Sequence, residues 1–232
     1  LAGGTLRSTN AFVLSNALVM AAAGGTLALD DASDLTLSNT VSGAGTLTKT
    51  GPARLTLTGA LPLTGPIAVN GGTLDLRSSL IRTHNGLPVA AGAVVEVASN
   101  LYLNVGGPNP SIGASGAGVV RLTSTGSSTS APDLVFAHNR SGTAYWGARL
   151  AATLDLGERQ RFVWGYTSHN GVGAYGVTGA DCQFGGNIIG AGGLTLIGQM
   201  GDYGSPPMGV PFCLNGTNSF SGLLEIQRGS VY

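Results

Sequence analysis

The segment from Val41 to Leu76 constrains the fold most, because short apolar–polar alternations within it are separated by glycine-rich turns. A period of two is typical of half-buried β-structure, and Gly-Ala-Gly, Gly-Pro and Gly-Gly are turn signals. No part of the segment has the spacing of an amphipathic helix. The segment therefore predicts three short strands and the start of a fourth, at Thr46–Thr50, Arg54–Thr58, Ile67–Asn70 and Thr73–Leu76.

Internal repeats extend this pattern along the chain. The tripeptide Gly-Ala-Gly occurs at 43–45, 116–118 and 190–192, so its three copies are almost evenly spaced. These repeats divide one continuous segment, 1–232, into modules at about 1–45, 46–118, 119–192 and 193–232, each expected to hold turns of about 20 to 30 residues. A turn this short buries its apolar face only by stacking on the next turn. The sequence thus predicts an all-β, single-stranded parallel β-helix, or β-solenoid, of about 9 to 10 turns.

Side chains at period-two positions are expected to form the rungs of the internal column. Leu57 is one such rung, so a Leu57→Asp change should disrupt stacking. Lys49, the only lysine of the chain, is expected to be replaceable, with Lys49→Ala nearly silent.

The second half is less regular, with loop-rich insertions expected at about 133–149, 158–176 and 199–211. Solenoids place insertions at surface corners, where binding faces are common. Four aromatic residues in this region are candidates for ligand or lateral contacts: Trp146, Trp164, Tyr166 and Tyr203. The alternative is that these aromatics cap the rod or fill a wider core.

Composition limits the classes of partner. The chain has a formal net charge of zero and 11 Lys and Arg in 232 residues, so no basic patch for nucleic acid is expected. No apolar run approaches the length of a membrane span. The two cysteines, Cys182 and Cys213, allow one intrachain disulfide, and two buried thiols are the alternative.

Catalytic motifs are weak. The G-x-G-x-x-G match at 171–176 lacks the following helix that a dinucleotide site needs, so no cofactor is expected. No metal site is expected either. A polysaccharide-degrading enzyme would need two suitably spaced carboxyls, and the cluster of Asp30, Asp31 and Asp34 is the only candidate. A solvated corner explains that cluster better, so we expect no enzymatic activity.

Two segments resemble the passenger repeat of autotransporters, a family of bacterial proteins. Residues 214–231 follow the sense L-x-G-x-N-x-[YF]-x-G-x-x-x-[IV]-x-x-G-[TS]-[LV], and Gly43–Leu76 is similar to the same repeat. Leu27–Gly45 resembles the turn that precedes it. The resemblance implies a right-handed β-helix on the cell surface or outside the cell, built as a scaffold without catalytic residues.

These features predict a structural extracellular β-solenoid that forms a surface stalk or fibre. Leu1 enters in the middle of the pattern, so the segment is expected to belong to a longer chain or to stack end to end with other copies. An adhesin that binds surface glycans through the aromatic loops at 133–211 is the alternative, followed by the polysaccharide-degrading enzyme.

Overall fold

The computed structural model describes residues 1–78, 81–82, 86–105, 114–138, 148–167, 182–200, 211–228 and 230–231. Within these ranges the chain is all-β, and the strand ladders are parallel. In chain order the strands are β1 (Thr5–Ser8), β2 (Phe12–Leu14), β3 (Leu18–Met20), β4 (Gly25–Leu29), β5 (Leu35–Leu37), β6 (Val41–Gly43), β7 (Leu47–Thr50), β8 (Arg54–Leu57), β9 (Ile67–Val69), β10 (Thr73–Leu76), β11 (Ile81–Arg82), β12 (Leu87–Pro88), β13 (Val94–Val97), β14 (Leu101–Val105), β15 (Ala114–Ser115), β16 (Val119–Leu122), β17 (Leu134–His138), β18 (Ala148–Leu150), β19 (Thr153–Asp155), β20 (Arg161–Thr167), β21 (Cys182–Phe184), β22 (Ile188–Ile189), β23 (Leu194–Met200), β24 (Pro211–Leu214), β25 (Leu224–Arg228) and β26 (Ser230–Val231).

The strands stack into three faces that the chain visits in turn. The first face contains β1, β4, β7 and β9, continues through the Val69–Val89 bridge to β12 and β15, and ends with β18, β21, β24 and β26. The second face is an eight-stranded sheet in the order β2-β5-β8-β10-β13-β16-β19-β22. The third face contains β3 and β6, and further along β11-β14-β17-β20-β23-β25. This arrangement confirms the predicted parallel β-solenoid, with ten rungs on the first face within the described ranges.

The core is a column of aliphatic side chains inside the three faces. On the second face, fully buried residues lie directly above one another in the strand register. Burying one such side chain contributes about 1.5–3 kcal/mol relative to leaving it exposed. The stacked sets are Leu35, Leu55, Leu74, Val95, Val120 and Leu154, and beside them Leu37, Leu57, Leu76, Val97 and Leu122.

The four predicted strands between Thr46 and Leu76 are β7 to β10, with bounds that differ from the prediction by no more than one residue at either end. Two of the three connections between them contain a glycine in the left-handed region, Gly51 before β8 and Gly72 before β10. Gly51 has φ +80°, and a Cβ there would lie 1.9 Å from the carbonyl oxygen of Leu29 in the turn below. A side chain at this corner would therefore separate two stacked turns.

The three Gly-Ala-Gly tripeptides adopt one corner conformation on three different faces. Their first glycines, Gly43, Gly116 and Gly190, have φ values of +109°, +98° and +112°. Gly43 ends β6 on the third face, Gly116 follows β15 on the first, and Gly190 follows β22 on the second. The tripeptide therefore marks a kind of corner rather than a fixed position around the solenoid, and the module boundaries stay a prediction.

Turn length changes along the molecule. Leu55 pairs with Leu74 in the regular region, whereas Val120 pairs with Leu154 further along, across a stretch of chain almost twice as long. The predicted loop-rich insertions contain strands of the third face, because β17 lies within 133–149 and β20 within 158–176. Longer turns therefore extend the third face as well as adding loops. Most of 199–211 lies outside the described residues.

Candidate functional site

The aromatic candidates fall mostly where the structure gives no description. Trp146 and Tyr203 lie outside the described residues, and the description of Tyr166 is limited to its backbone on β20. Trp164, also on β20, is half-buried, and its indole Nε1 donates to the carbonyl oxygen of Thr129 at 3.0 Å. The structure therefore gives no grouping of these four residues, and their role stays a prediction.

The two cysteines are not joined by a disulfide, so this prediction needs correction. They lie on neighbouring strands β21 and β24, but Cys182 pairs with Phe212, while Cys213 pairs with Gln183. Successive side chains of a strand point to opposite faces, so this one-residue offset places the two sulfur atoms on opposite sides of the sheet. Cys213 Sγ instead donates to Asn215 Oδ1 at 2.8 Å.

The acidic cluster lies at the corner between β4 and β5. Asp30 forms an ion pair with Arg7 at 2.8 Å, and its carboxylate raises the pKa of the Arg7 guanidinium through a hydrogen bond and its charge. Asp34 Oδ1 accepts a hydrogen bond from the backbone N–H of Arg54 at 2.8 Å, and Asp31 is exposed. The carboxylates of Asp30 and Asp34 therefore hold a corner and a neighbouring strand.

A ladder of charged residues, which sequence reasoning missed, runs along the outside of the second face. The register stacks Asp75, Glu96, Arg121 and Asp155 on four successive rungs. Arg54 and Arg77 flank them on β8 and just after β10. We call these six residues the charged ladder. The signal in the sequence was a charge between two core residues, repeated four times: Leu-Asp-Leu, Val-Glu-Val, Val-Arg-Leu and Leu-Asp-Leu.

Arginines separate the carboxylates of the charged ladder. Asp75 and Glu96 are direct neighbours in the register, a placement that is unfavourable for like charges. Arg54 Nη1 reaches both, at 3.1 Å from Asp75 Oδ2 and 2.6 Å from Glu96 Oε2. Arg121 Nε lies 2.8 Å from Asp155 Oδ2, and its Nη1 lies 3.5 Å from Glu96 Oε1. The hydrogen bond that Arg54 donates to Glu96 and the one that Arg121 donates to Asp155 raise the pKa of these two guanidinium groups.

A cleft of about 330 Å³ opens beside the charged ladder. It is lined by Asp75, Arg77, Glu96, Ala98, Thr123 and Thr125. The Asp75 side chain is almost inaccessible at 2% exposure and receives two contacts from Arg77, from Nε at 2.9 Å and Nη2 at 2.8 Å. The cleft is therefore lined both by ionic groups that salt bridges hold in place and by two threonine residues.

Lys49 occupies a rung of the apolar column, so the expectation that it is replaceable does not fit its environment. It stacks between Leu27 and Val69 on the first face and is 0% exposed. Its Nζ donates to the carbonyl oxygens of Gly51 at 2.7 Å and Gly71 at 2.8 Å, which belong to successive turns. Burial lowers its pKa to about 8, against the opposing effect of the Asp34 charge.

A second buried cation holds the long turns together. Arg161 is 3% exposed and forms an ion pair with Asp133, 1% exposed, at 3.2 Å. Its Nε donates to the carbonyl oxygen of Leu156 at 2.7 Å, its Nη1 to that of Ser124 at 2.9 Å, and its Nη2 to that of Leu122. The Ser124 hydroxyl also donates to Asp133. This Arg161 cluster ties the 122–133 segment to the next turn.

Among the residues that the structure describes, no group of three or more His, Cys, Asp or Glu side chains could hold a metal ion. The same residues include no helix long and apolar enough to cross a membrane.

The fold defines a repeat protein of the parallel β-solenoid class. Residues 47–76, which form β7 to β10, match the family model of the passenger-associated-transport-repeat. This match confirms the resemblance to autotransporter passenger repeats that the sequence predicted for this stretch. No curated protein and no solved structure matches the chain.

Proposed function

We propose that this chain is a structural segment of an autotransporter passenger that is secreted or exposed on a bacterial surface, where it forms a stalk or fibre. The observation that carries the proposal is the passenger-associated-transport repeat at 47–76, built into a solenoid that continues on both sides of it. The repeat is a scaffold unit: its strands supply the internal column, and its glycines supply the corners.

The architecture suits a mechanical role. In the described residues, parallel ladders on three faces join successive turns through backbone hydrogen bonds. The apolar column is continuous, because buried side chains from Met20 to Phe212 form one cluster. In a solenoid, stability comes from repeat units and their nearest-neighbour interfaces, so a rod can be extended without a change of design.

Surface exposure can be tested by cysteine labelling of the full-length protein on intact bacteria. Ala22 is exposed and Ala93 is fully buried, while the native Cys182 and Cys213 are buried. A membrane-impermeant maleimide should label Ala22→Cys on intact cells and spare Ala93→Cys. Both should react after denaturation. Labelling of Ala22→Cys only after cell lysis would contradict the proposal.

We further propose that this role requires neither a cofactor nor catalysis. The support lies in the charged ladder, where the carboxylates of Asp75, Glu96 and Asp155 are each engaged by arginine at 3.1 Å or less. Polysaccharides incubated with the protein should show no new reducing ends or unsaturated products. Product formation that disappears in Asp75→Asn or Glu96→Gln would overturn this part of the proposal.

Self-association is a separate part of the proposal. Apolar side chains are exposed on the first rung at Phe12, Val13 and Val19, and on a late rung at Leu223, Leu224 and Ile226. Adjoining turns of a longer chain or another copy would cover them. Electron microscopy of this segment distinguishes the two: fibres support end-to-end association, and single short rods contradict it.

A further inference from the structure

The cleft is lined by Arg77 and by the carboxylates of Asp75 and Glu96, and the adjoining members of the charged ladder bring the surrounding charge to zero. The charged ladder contains three arginines, Arg54, Arg77 and Arg121, and three carboxylates, Asp75, Glu96 and Asp155. A cleft beside charges that cancel gives neither an anion nor a cation the gain that a field of one sign would provide. Its walls nevertheless present many polar atoms, so the ligand that fits best is neutral and polar.

Hydrogen-bonding capacity remains available in the cleft. Arg77 is 58% exposed, and its contacts with Asp75 use Nε and Nη2, which leaves Nη1 without an ion pair in the described part of the chain. Within that part, the hydroxyls of Thr123 and Thr125 also make no hydrogen bond. A hydroxyl both donates and accepts, and a guanidinium donates from a planar fork. Together these groups match a ligand with several neighbouring hydroxyls.

Hydrogen bonds from two arginines hold the segment that carries Thr123 and Thr125 in place. Thr123 and Thr125 flank Ser124, whose carbonyl oxygen and hydroxyl contact Arg161 at 2.9 Å and 3.2 Å. The Thr125 carbonyl oxygen accepts from Arg159 at 3.4 Å. A buried ion pair is often no more stabilising than well-packed apolar side chains. The Arg161 cluster does, however, fix the segment that carries the two threonines.

We propose that this cleft is a binding site for a neutral saccharide, with Arg77, Thr123 and Thr125 as the residues that bind it. Ala98, which also lines the cleft, has a small side chain that leaves room for a sugar ring. A volume near 330 Å³ lies at the low end of small-molecule sites, which corresponds to a small ligand that stays partly exposed. The proposal uses none of the four aromatic candidates and does not depend on the stalk proposal.

Saturation-transfer NMR on the purified chain tests the proposal, with glucose, galactose, mannose and N-acetylglucosamine as probes. The wild type should show transfer to at least one of them. The double variant Thr123→Val/Thr125→Val should weaken binding by about tenfold or more, since each lost hydrogen bond is worth up to about tenfold. Thr36→Val is the matched control, because Thr36 also lies on the outside of the second face, two rungs before Asp75.

Three results would overturn the proposal: no transfer to any of the four sugars, transfer that the double variant leaves unchanged, or equal loss in Thr36→Val. Sodium sulfate provides a further control. If sulfate displaces the sugar at lower concentration than the sugar itself requires, the cleft is an anion site at Arg77 and the saccharide assignment is wrong. Circular dichroism of each variant establishes that a loss of binding is not a loss of fold.

Discussion

The regular turns around residues 25–78 and the long turns around 119–200 each contain a buried cation, but its residue type and its hydrogen-bond partners differ. In the regular region, Lys49 fills one rung of the column, and its ammonium is satisfied by two glycine carbonyls. In the long-turn region, Arg161 needs a carboxylate, a hydroxyl and three carbonyls. Backbone oxygens of two short turns satisfy the buried lysine by themselves, whereas the buried arginine of the long turns is bound by a carboxylate and a hydroxyl in addition to backbone oxygens.

The matched repeat at 47–76 and the segment 214–231, which the sequence predicts to be a second copy, lie on different faces. In the matched repeat, β8 and β10 lie on the second face, Leu63 lies on the third face and β9 lies on the first face. In the later repeat, β24 and β26 lie on the first face and β25 on the third, while the hydrogen bonds of Ser219 and Ser221 place Phe220 beside β22 on the second. Corresponding strands of the two segments therefore lie one face apart.

Corner contacts are preserved in spite of this difference in face. A Cβ on Gly59 would lie 2.1 Å from the carbonyl oxygen of Asn39, and one on Gly216 would lie 2.2 Å from that of Gly186. Thr64 and Ser221 each donate a backbone hydrogen bond to the first glycine of a Gly-Ala-Gly corner, Gly43 or Gly190. The two segments thus share their corner contacts although they lie on different faces.

The largest effect is expected for Leu57→Asp, which breaks the regular region. The side chain is 1% exposed, so the substitution buries an unpaired carboxylate and should cost about 5 kcal/mol or more in the free energy of unfolding. Thr36→Asp, directed outward on the preceding rung between the uncharged Val13 and Thr56, should cost less than about 1 kcal/mol. Urea unfolding measures both. Equal costs would contradict the assignment of inward and outward positions.

The next effect is expected in the long-turn region. Arg161→Met leaves Asp133 buried without its cation and should cost about 3–5 kcal/mol. The double variant Arg161→Met/Asp133→Asn should be less destabilised than the sum of its two single variants, because it removes the uncompensated charge. Urea unfolding of all four proteins gives the coupling. Strict additivity would show that the pair is not coupled.

Lys49 provides the matching test in the regular region. Lys49→Ala removes a buried aliphatic stem and leaves the Gly51 and Gly71 carbonyls without their donor, so it should cost about 2–4 kcal/mol. Lys49→Met keeps most of the volume and should cost about 1–2 kcal/mol. Thermal and urea unfolding measure the difference between the variants. A neutral Lys49→Ala would restore the expectation drawn from sequence and contradict the buried position.

The smallest effect is a pH dependence specific to Lys49. Its pKa is about 8 in the folded chain, below the ordinary value of 10.5, so the unfolded chain binds more protons between these values. Stability should therefore rise with pH in this window, by roughly 1 kcal/mol per pH unit. Other groups titrate there too, so the informative quantity is wild type minus Lys49→Met. A flat difference would contradict the lowered pKa.

Period-two patterning was sufficient to predict the solenoid and its rungs, because alternation and glycine corners are local properties of the chain. The same pattern also predicts an inward side chain for Lys49, because Lys49 lies two residues after Leu47 in one strand. This contradicts the expectation that Lys49 is replaceable. The charged ladder needed the register between turns, which is not a local property, because turn length almost doubles between the Leu55–Leu74 and Val120–Leu154 pairs. The cysteine pairing failed for the same reason, since a one-residue register offset decides which face a side chain occupies.

The most direct test of the three-faced parallel stack is disulfide trapping between its rungs, with Cys182 and Cys213 replaced by Ser or Ala. Thr26, Thr48 and Ala68 occupy the same position on three successive rungs of the first face. Adjacent rungs lie about 4.8 Å apart, within disulfide range, and alternate rungs about 9.6 Å apart, beyond it. Thr26→Cys/Thr48→Cys should form a disulfide under mild oxidation, and Thr26→Cys/Ala68→Cys should not. Cross-linking of the second pair but not the first would contradict the stack.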